Sequence, residues 1–226
     1  MRLLPARRWN TLRWLAGLTA LLAATGVCAQ HAGHADHRFQ DAQRWSKVFD
    51  DPARDAWQKP HEVITALKLA PEAAVADIGA GTGYFAVRFA HMLPSGRVYA
   101  VDLEADMVRH LGERAKKEGL TNLSAVQGKP EDAQIPRPVD LAILVDVYHH
   151  VGARNQYFGR LRDSLKTNGR VAIIDFRMDG NIGPAKSMRI APEQVKTEMA
   201  GAGYVLVEEH SFLPQQYFLI FQRAPR

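Results

Sequence analysis

Eleven residues, VADIGAGTGYF at 75–85, restrict the fold more than any other stretch of the chain. A short apolar run carrying one acid leads into three glycines at alternate positions, Gly79, Gly81 and Gly83, and then into an apolar segment of helical character from Tyr84. Glycine takes positive φ without steric cost and lets a ligand or another backbone come close. Buried strand, glycine turn and helix, in that order, open a βαβ unit, and a ligand belongs over the end of that strand.

The same alternation continues downstream. Helices are expected near 62–69, 84–92, 105–118, 154–166 and 192–200, and strands at 74–78, 97–102, 123–127, 141–147 and 170–176. Strands alternating with helices of 10 to 15 residues predict an α/β fold, a Rossmann-like doubly wound sheet that is mostly parallel. The ending breaks the rule: strands at 204–207 and 217–221 have no helix between them and Pro214 in the connection, so an antiparallel C-terminal hairpin is expected at the sheet edge. Upstream, the 39–60 segment has Trp45, Phe49 and Trp57 as apolar anchors and Pro52 and Pro60 as breaks, the pattern of one or two short helices packed on the main domain.

The glycine spacing discriminates between ligands. A dinucleotide fingerprint needs a glycine three residues after Gly81, and Tyr84 stands there, which counts against a nicotinamide-dependent oxidoreductase on the same sheet. Asp77 just before the loop suits a ligand with a cationic amino-acid end rather than a pyrophosphate. Asp102, closing the next strand 19 residues after Gly83, can accept hydrogen bonds from both hydroxyls of a ribose.

With these residues the sequence, over about 60–223, resembles the class I S-adenosylmethionine-dependent methyltransferases, and more closely their small-molecule branch that includes quinone-biosynthesis enzymes. The resemblance implies a seven-stranded sheet with an antiparallel last strand and S-adenosylmethionine as cofactor. It implies that Asp77, Gly79, Ala80, Gly81 and Gly83 hold the methionine part and Asp102 the ribose. Leu103 and Met107 would then pack near the adenine, and Asp132, in the GKPEDAQIP loop at 128–136, would face its amino group.

The reacting end is expected at VDLAILVDVYHH, 139–150, a buried strand that delivers titratable groups to the carboxyl edge of the sheet. Methyl transfer needs an acceptor held in line and, for a hydroxyl or carbon acid, a base. His149 and His150 are the candidate bases, with Asp146 and Tyr148 as orienting groups. Asp146 and Asp175 stand where catechol-type enzymes bind magnesium, but Phe176 replaces the expected amide ligand, and no metal is expected. The acceptor is read as a small molecule. A non-catalytic periplasmic protein that binds the cofactor or a nucleoside is the alternative from another class.

That alternative arises from the first residues. Arg2, Arg7, Arg8 and Arg13, an apolar run from 15 to 27 and Val27-Cys28-Ala29 have the layout of a signal peptide cleaved after Ala29. The expected organisation is therefore a leader at 1–29, a histidine-containing linker and helical cap at 30–60, and the methyltransferase domain at 61–226. The apolar run is short of the ~20 residues that span a bilayer, so no membrane span remains after cleavage. Removal of the leader leaves 25 Lys and Arg against 24 Asp and Glu, a net +1, so the high pI implies no nucleic-acid track. It also removes the single cysteine and with it any disulfide or thiolate site. His31, His34 and His37 could offer imidazoles to a metal, but nothing in the linker fixes a closed geometry. Fractionation of the producing cell should find the protein outside the cytoplasm and about 29 residues shorter than the translated chain; a full-length cytoplasmic product refutes export.

Overall fold

A strand ends and a helix begins on either side of the glycine turn as the pattern requires: β1 is Ala74–Ile78 and α4 is Tyr84–Met92. The computed structural model describes residues 41–225; the expected leader, the 31–37 histidines and the start of the linker lie outside them. Ahead of β1 come α1 (Ala42–Phe49), a 3₁₀ turn at Pro52–Arg54, α2 (Asp55–Gln58) and α3 (Pro60–Ala66). After α4 follow β2 (Arg97–Asp102), α5 (Ala105–Lys117), β3 (Leu123–Gln127), β4 (Val139–Val145), α6 (Arg154–Leu161), β5 (Leu165–Phe176), α7 (Pro192–Gly201), β6 (Tyr204–His210) and β7 (Gln216–Arg223). Among the described residues no helix is long and apolar enough to cross a membrane.

The seven strands lie in the order β3-β2-β1-β4-β5-β7-β6, and β7 runs antiparallel to both neighbours. The chain winds outward from β1 to β3, then returns to place β4 against the other side of β1. That reversal is the point at which open α/β sheets leave a crevice at their carboxyl ends. The hairpin is present, with β6 at the edge and β7 inserted beside β5.

Period-two alternation distributes β7 between two cores. Phe218 and Ile220 join Phe85, Phe89, Leu111 and Leu67 on one face of the sheet. Tyr217, Leu219 and Phe221 join Tyr148, Phe158, Val195 and Met199 on the other. Several boundaries differ from expectation. β4 ends at Val145, because Asp146 takes a left-handed φ of 60° and turns the chain out of the sheet. α6 stops at Leu161, and β5 begins at Leu165 because its first residue already pairs with Val139 across a register shift. α3 starts at Pro60, the first helical position, where a missing N–H costs nothing.

Gly79 sits where β1 and β4 come together. Its φ is +72°, and a Cβ there would lie on Val147 Cγ2 and within 2.9 Å of Cγ1. Gly79→Ala should lower stability by about 2 kcal/mol or more through strain and clash. Gly112→Ala, in α5 with nothing within 4 Å of the added carbon, should raise stability by about 0.5–1 kcal/mol. Urea denaturation of both variants measures the contrast.

Candidate active site

The glycine loop is held from within. The amides of Gly79 and Ala80 both donate to Val101 O, at 2.8 and 2.9 Å, Gly83 N donates to Ala80 O at 2.9 Å, and Gly81 N donates to Asp102 Oδ2 at 2.8 Å. All three glycines have positive φ, and a Cβ on Gly81 would touch the Phe49 ring at 3.3 Å. At these three positions the loop presents backbone alone, with the Phe49 ring packed against Gly81 and Val147 against Gly79. Thr82 Oγ1, in the same turn, is buried and has no hydrogen-bond partner.

Acids stand at the carboxyl ends of four successive strands: Asp102 on β2, Asp77 on β1, Asp146 after β4 and Asp175 on β5. Asp77 is 3% exposed, and burial pushes its carboxyl up to about 7, although the Ala86 amide and the field of Arg54 pull the other way. Burial raises Asp146 to about 7 as well, opposed by Arg54 and reinforced by Asp175. Asp102 is raised by burial against the amides of Glu104, Gly81 and Leu103. Asp175 is occupied differently: its oxygens lie 2.9 Å from His149 Nδ1 and accept from the amides of His149 and Phe176. A carboxylate against Nδ1 fixes the tautomer with Nδ1–H and directs Nε2 away from Asp175. Nε2 makes no hydrogen bond among the described residues. The His150 ring lies 4.1 Å from that of His149, at the exposed side of the pair.

The 41–60 segment closes over this edge. Arg54 donates to Gln58 Oε1 at 2.9 Å, to Phe49 O at 3.0 Å and to Asp146 Oδ2 at 3.3 Å, and its guanidinium lies 4.1 Å from the Tyr84 ring centre. Gln58 donates to Gln216 Oε1 at 2.6 Å, and Gln216 in turn donates to Asp146. Arg114 ties the end of α1 to the loop through Asp50 and Thr82 O.

Asp77, Asp102, Asp146 and the two histidines are thus brought to one edge with the glycine loop. Tyr148 is not an orienting group for them. It is fully buried in the α6–α7 side of the core, stacked on Phe158 at 5.3 Å, with its hydroxyl on Glu198 at 2.6 Å. The 3₁₀ turn at 148–150 points consecutive side chains in different directions, which explains the separation from His149. Leu103 is 53% exposed after the end of β2, whereas Met107 in α5 is completely buried. Asp132 caps its own turn, accepting from Gln134 N at 2.7 Å. Arg54, Gln58 and Gln216 carry no local pattern in the sequence, because their contacts cross 92, 158 and 70 residues.

A family model described as a methyltransferase domain matches residues 69–217. The chain belongs to this family. A SAM-dependent methyltransferase from Aquifex aeolicus has the same fold, with a TM-score of 0.74 and 24% identity over 80% of this chain and 97% of that one. The trans-aconitate 2-methyltransferase of Rhodopseudomonas palustris (strain BisB5) is 26% identical over 132 residues, 58% of this chain and 48% of that protein. The malonyl-[acyl-carrier protein] O-methyltransferase of Priestia megaterium (strain DSM 319 / IMG 1521) is 27% identical over 135 residues, again 58% and 48%. The chain spans about half the length of these curated relatives.

The residues present fit the S-adenosylmethionine of class I methyltransferase domains. Among the described residues, Thr82 carries a buried hydroxyl without a partner and Asp77 is a buried carboxyl with no cation in hydrogen-bond contact. Both are places where a ligand atom would satisfy a buried polar group.

A carboxyl raised from 3.8 to about 7 makes the native state bind a proton more tightly than the unfolded chain. Stability therefore falls as pH rises from about 4 to about 7 and stays at its lower level above that. Asp77→Asn should raise the stability of the ligand-free protein by about 2–4 kcal/mol at pH 8 and by much less at pH 5, measured by denaturant unfolding at both values.

Proposed function

We propose that this chain is an S-adenosylmethionine-dependent methyltransferase that methylates an oxygen or carbon atom of a small-molecule acceptor, with His149 taking the acceptor's proton. The observation that carries the reading is the buried His149–Asp175 pair, set at the ends of β4 and β5 beside the glycine loop. The resemblance to quinone-biosynthesis enzymes favours an oxygenated ring as acceptor, and the leader-like layout of residues 1–29 favours a reaction outside the cytoplasm. The trans-aconitate and malonyl-[acyl-carrier protein] names of the two relatives support a small acceptor group, free or borne on a carrier protein.

The cofactor would supply an electrophilic methyl group on a sulfonium sulfur. Asp77 would hold its ammonium end and Asp102 its ribose hydroxyls, while Thr82 offers one further hydroxyl. His149 Nε2 would accept the proton that leaves the acceptor's hydroxyl or acidic carbon; the electron pair left behind would take up the methyl group as its bond to sulfur breaks, that bond's electrons returning to sulfur to leave a neutral thioether. Asp175 keeps Nδ1–H oriented and stabilises the imidazolium, the part a carboxylate plays beside a histidine base. Phe49 and Trp57, the latter 6.0 Å from Phe176, keep water away from the edge.

Calorimetry on the purified protein should show S-adenosylhomocysteine binding, and Asp102→Ala should weaken it by about 1.5–3 kcal/mol, the scale of hydrogen bonds to a charged group. A screen with methyl-labelled cofactor against a small-molecule extract should reveal the acceptor. His149→Ala should then lower turnover about 10²-fold or more with cofactor affinity nearly unchanged. Undiminished turnover in His149→Ala, His150→Ala and the double variant rejects proton removal and leaves positioning as the catalytic device.

A further inference from the structure

Arg54 is anchored as if something else were to complete its contacts. Its side chain is only 14% exposed, and its distance to Asp146, 3.3 Å, is long for a charge-assisted hydrogen bond. Elsewhere in the chain Arg154 meets Glu198 at 2.6 Å and Arg114 meets Glu118 at 2.8 Å. Of its five N–H groups, those donating to Gln58, Phe49 and Asp146 account for three, which leaves two without a partner among the described residues. The plane of the guanidinium is set by the Tyr84 ring, and Tyr84 is held in turn by Asp55, which also meets Arg88 at 3.0 Å. This is a fixed, partly unsatisfied fork, reaching from the first residue of α4 to the end of β4, across the glycine loop.

A zwitterionic amino-acid end needs a cation for its carboxylate as well as an anion for its ammonium. Four amides of the loop cannot provide the first. The amides of Gly79, Ala80, Gly81 and Gly83, which could cradle an anion, are all committed to Val101 O, Asp102 and Ala80 O. The ends of the flanking strands carry Asp77, Asp102, Asp146 and Asp175, whose field repels a carboxylate. Arg54 is the cation that faces Asp77 and Asp146 from the cap.

We infer that Arg54, a residue of the N-terminal cap, is the group that binds the α-carboxylate of the cofactor's amino-acid end, exchanging its long contact with Asp146 for a two-pronged one with the ligand. The inference rests on the cofactor reading above. It makes the cap part of the cofactor site and explains why an arginine stands here: a planar fork matches a carboxylate, whereas a lysine offers a point charge.

Two ligands separate this role from a merely structural one. S-adenosylhomocysteine has the carboxylate; 5′-methylthioadenosine keeps the nucleoside and thioether and lacks the whole amino-acid end. By calorimetry, Arg54→Met should bind S-adenosylhomocysteine at least 10-fold more weakly than the unmodified protein and 5′-methylthioadenosine within 2-fold of it. Arg54→Lys should fall between. Equal weakening of both ligands would mean that Arg54 only holds the cap down, and unchanged affinity for S-adenosylhomocysteine would mean that it does neither; each result overturns the inference. A comparison that needs no variant uses decarboxylated S-adenosylhomocysteine, the amine without its carboxylate. The unmodified protein should bind it at least 10-fold more weakly than S-adenosylhomocysteine, and equal binding refutes the role of Arg54 even if Arg54→Met does not fold. Failure of the unmodified protein to bind S-adenosylhomocysteine at all would instead remove the cofactor reading itself.

Discussion

Negative charge kept out of water at the carboxyl edge of the sheet is the condition to which the rest of the molecule is fitted. Four strand ends deliver four aspartates there, and burial raises three of them, Asp77 and Asp146 as far as about 7. Buried carboxylates persist only with compensation. Asp175 has it from His149 and two backbone amides, Asp102 from the amides of Gly81 and Glu104, and Asp146 from Arg54 and Gln216. Asp77 has the least among the described residues. The edge is thus graded from a fully compensated carboxylate on β5 to one on β1 that a cationic ligand would relieve.

The sheet and its helices were legible because local chemistry and fold agree. Period-two runs marked the strands, the glycine triplet marked the first turn, and Pro214 between two helix-free strands marked the hairpin. Where boundaries differ, tertiary pairing overrules local pattern: the helical pattern runs on to Lys166, but pairing with β4 draws Leu165 into the sheet. The cofactor side of the site was legible for the same reason as the fold, since Asp77 and Asp102 lie on strands next to the loop. The reacting side was only half legible. A run of Asp146, Tyr148, His149 and His150 reads as one cluster along the chain, but a tight turn sends the tyrosine through to the opposite core.

The residue that broke the dinucleotide pattern acquires a use in the structure. Tyr84 stands where a third glycine would allow a helix to approach a pyrophosphate, and its ring carries Arg54 on one side and Arg88 at 3.9 Å. Replacing a glycine by an aromatic platform thus substitutes a positioned cation for a positioned backbone. The same substitution binds the 41–60 segment to the domain, because Asp55 of α2 accepts from the Tyr84 hydroxyl.

The reach of the cap's contacts has a consequence for how the molecule assembles. Gln58 meets Gln216 across 158 residues, Lys59 meets Phe212 O across 153, and Ala42 meets Asp106 across 64. Contacts so distant along the chain cannot form until their partners have been synthesised and the last hairpin has closed on β5, and such closures are entropically late. The segment made before the domain is therefore among the last parts to find its place. Until β7 is in position the cap lacks its anchor on Gln216, and the crevice it covers stays open to solvent.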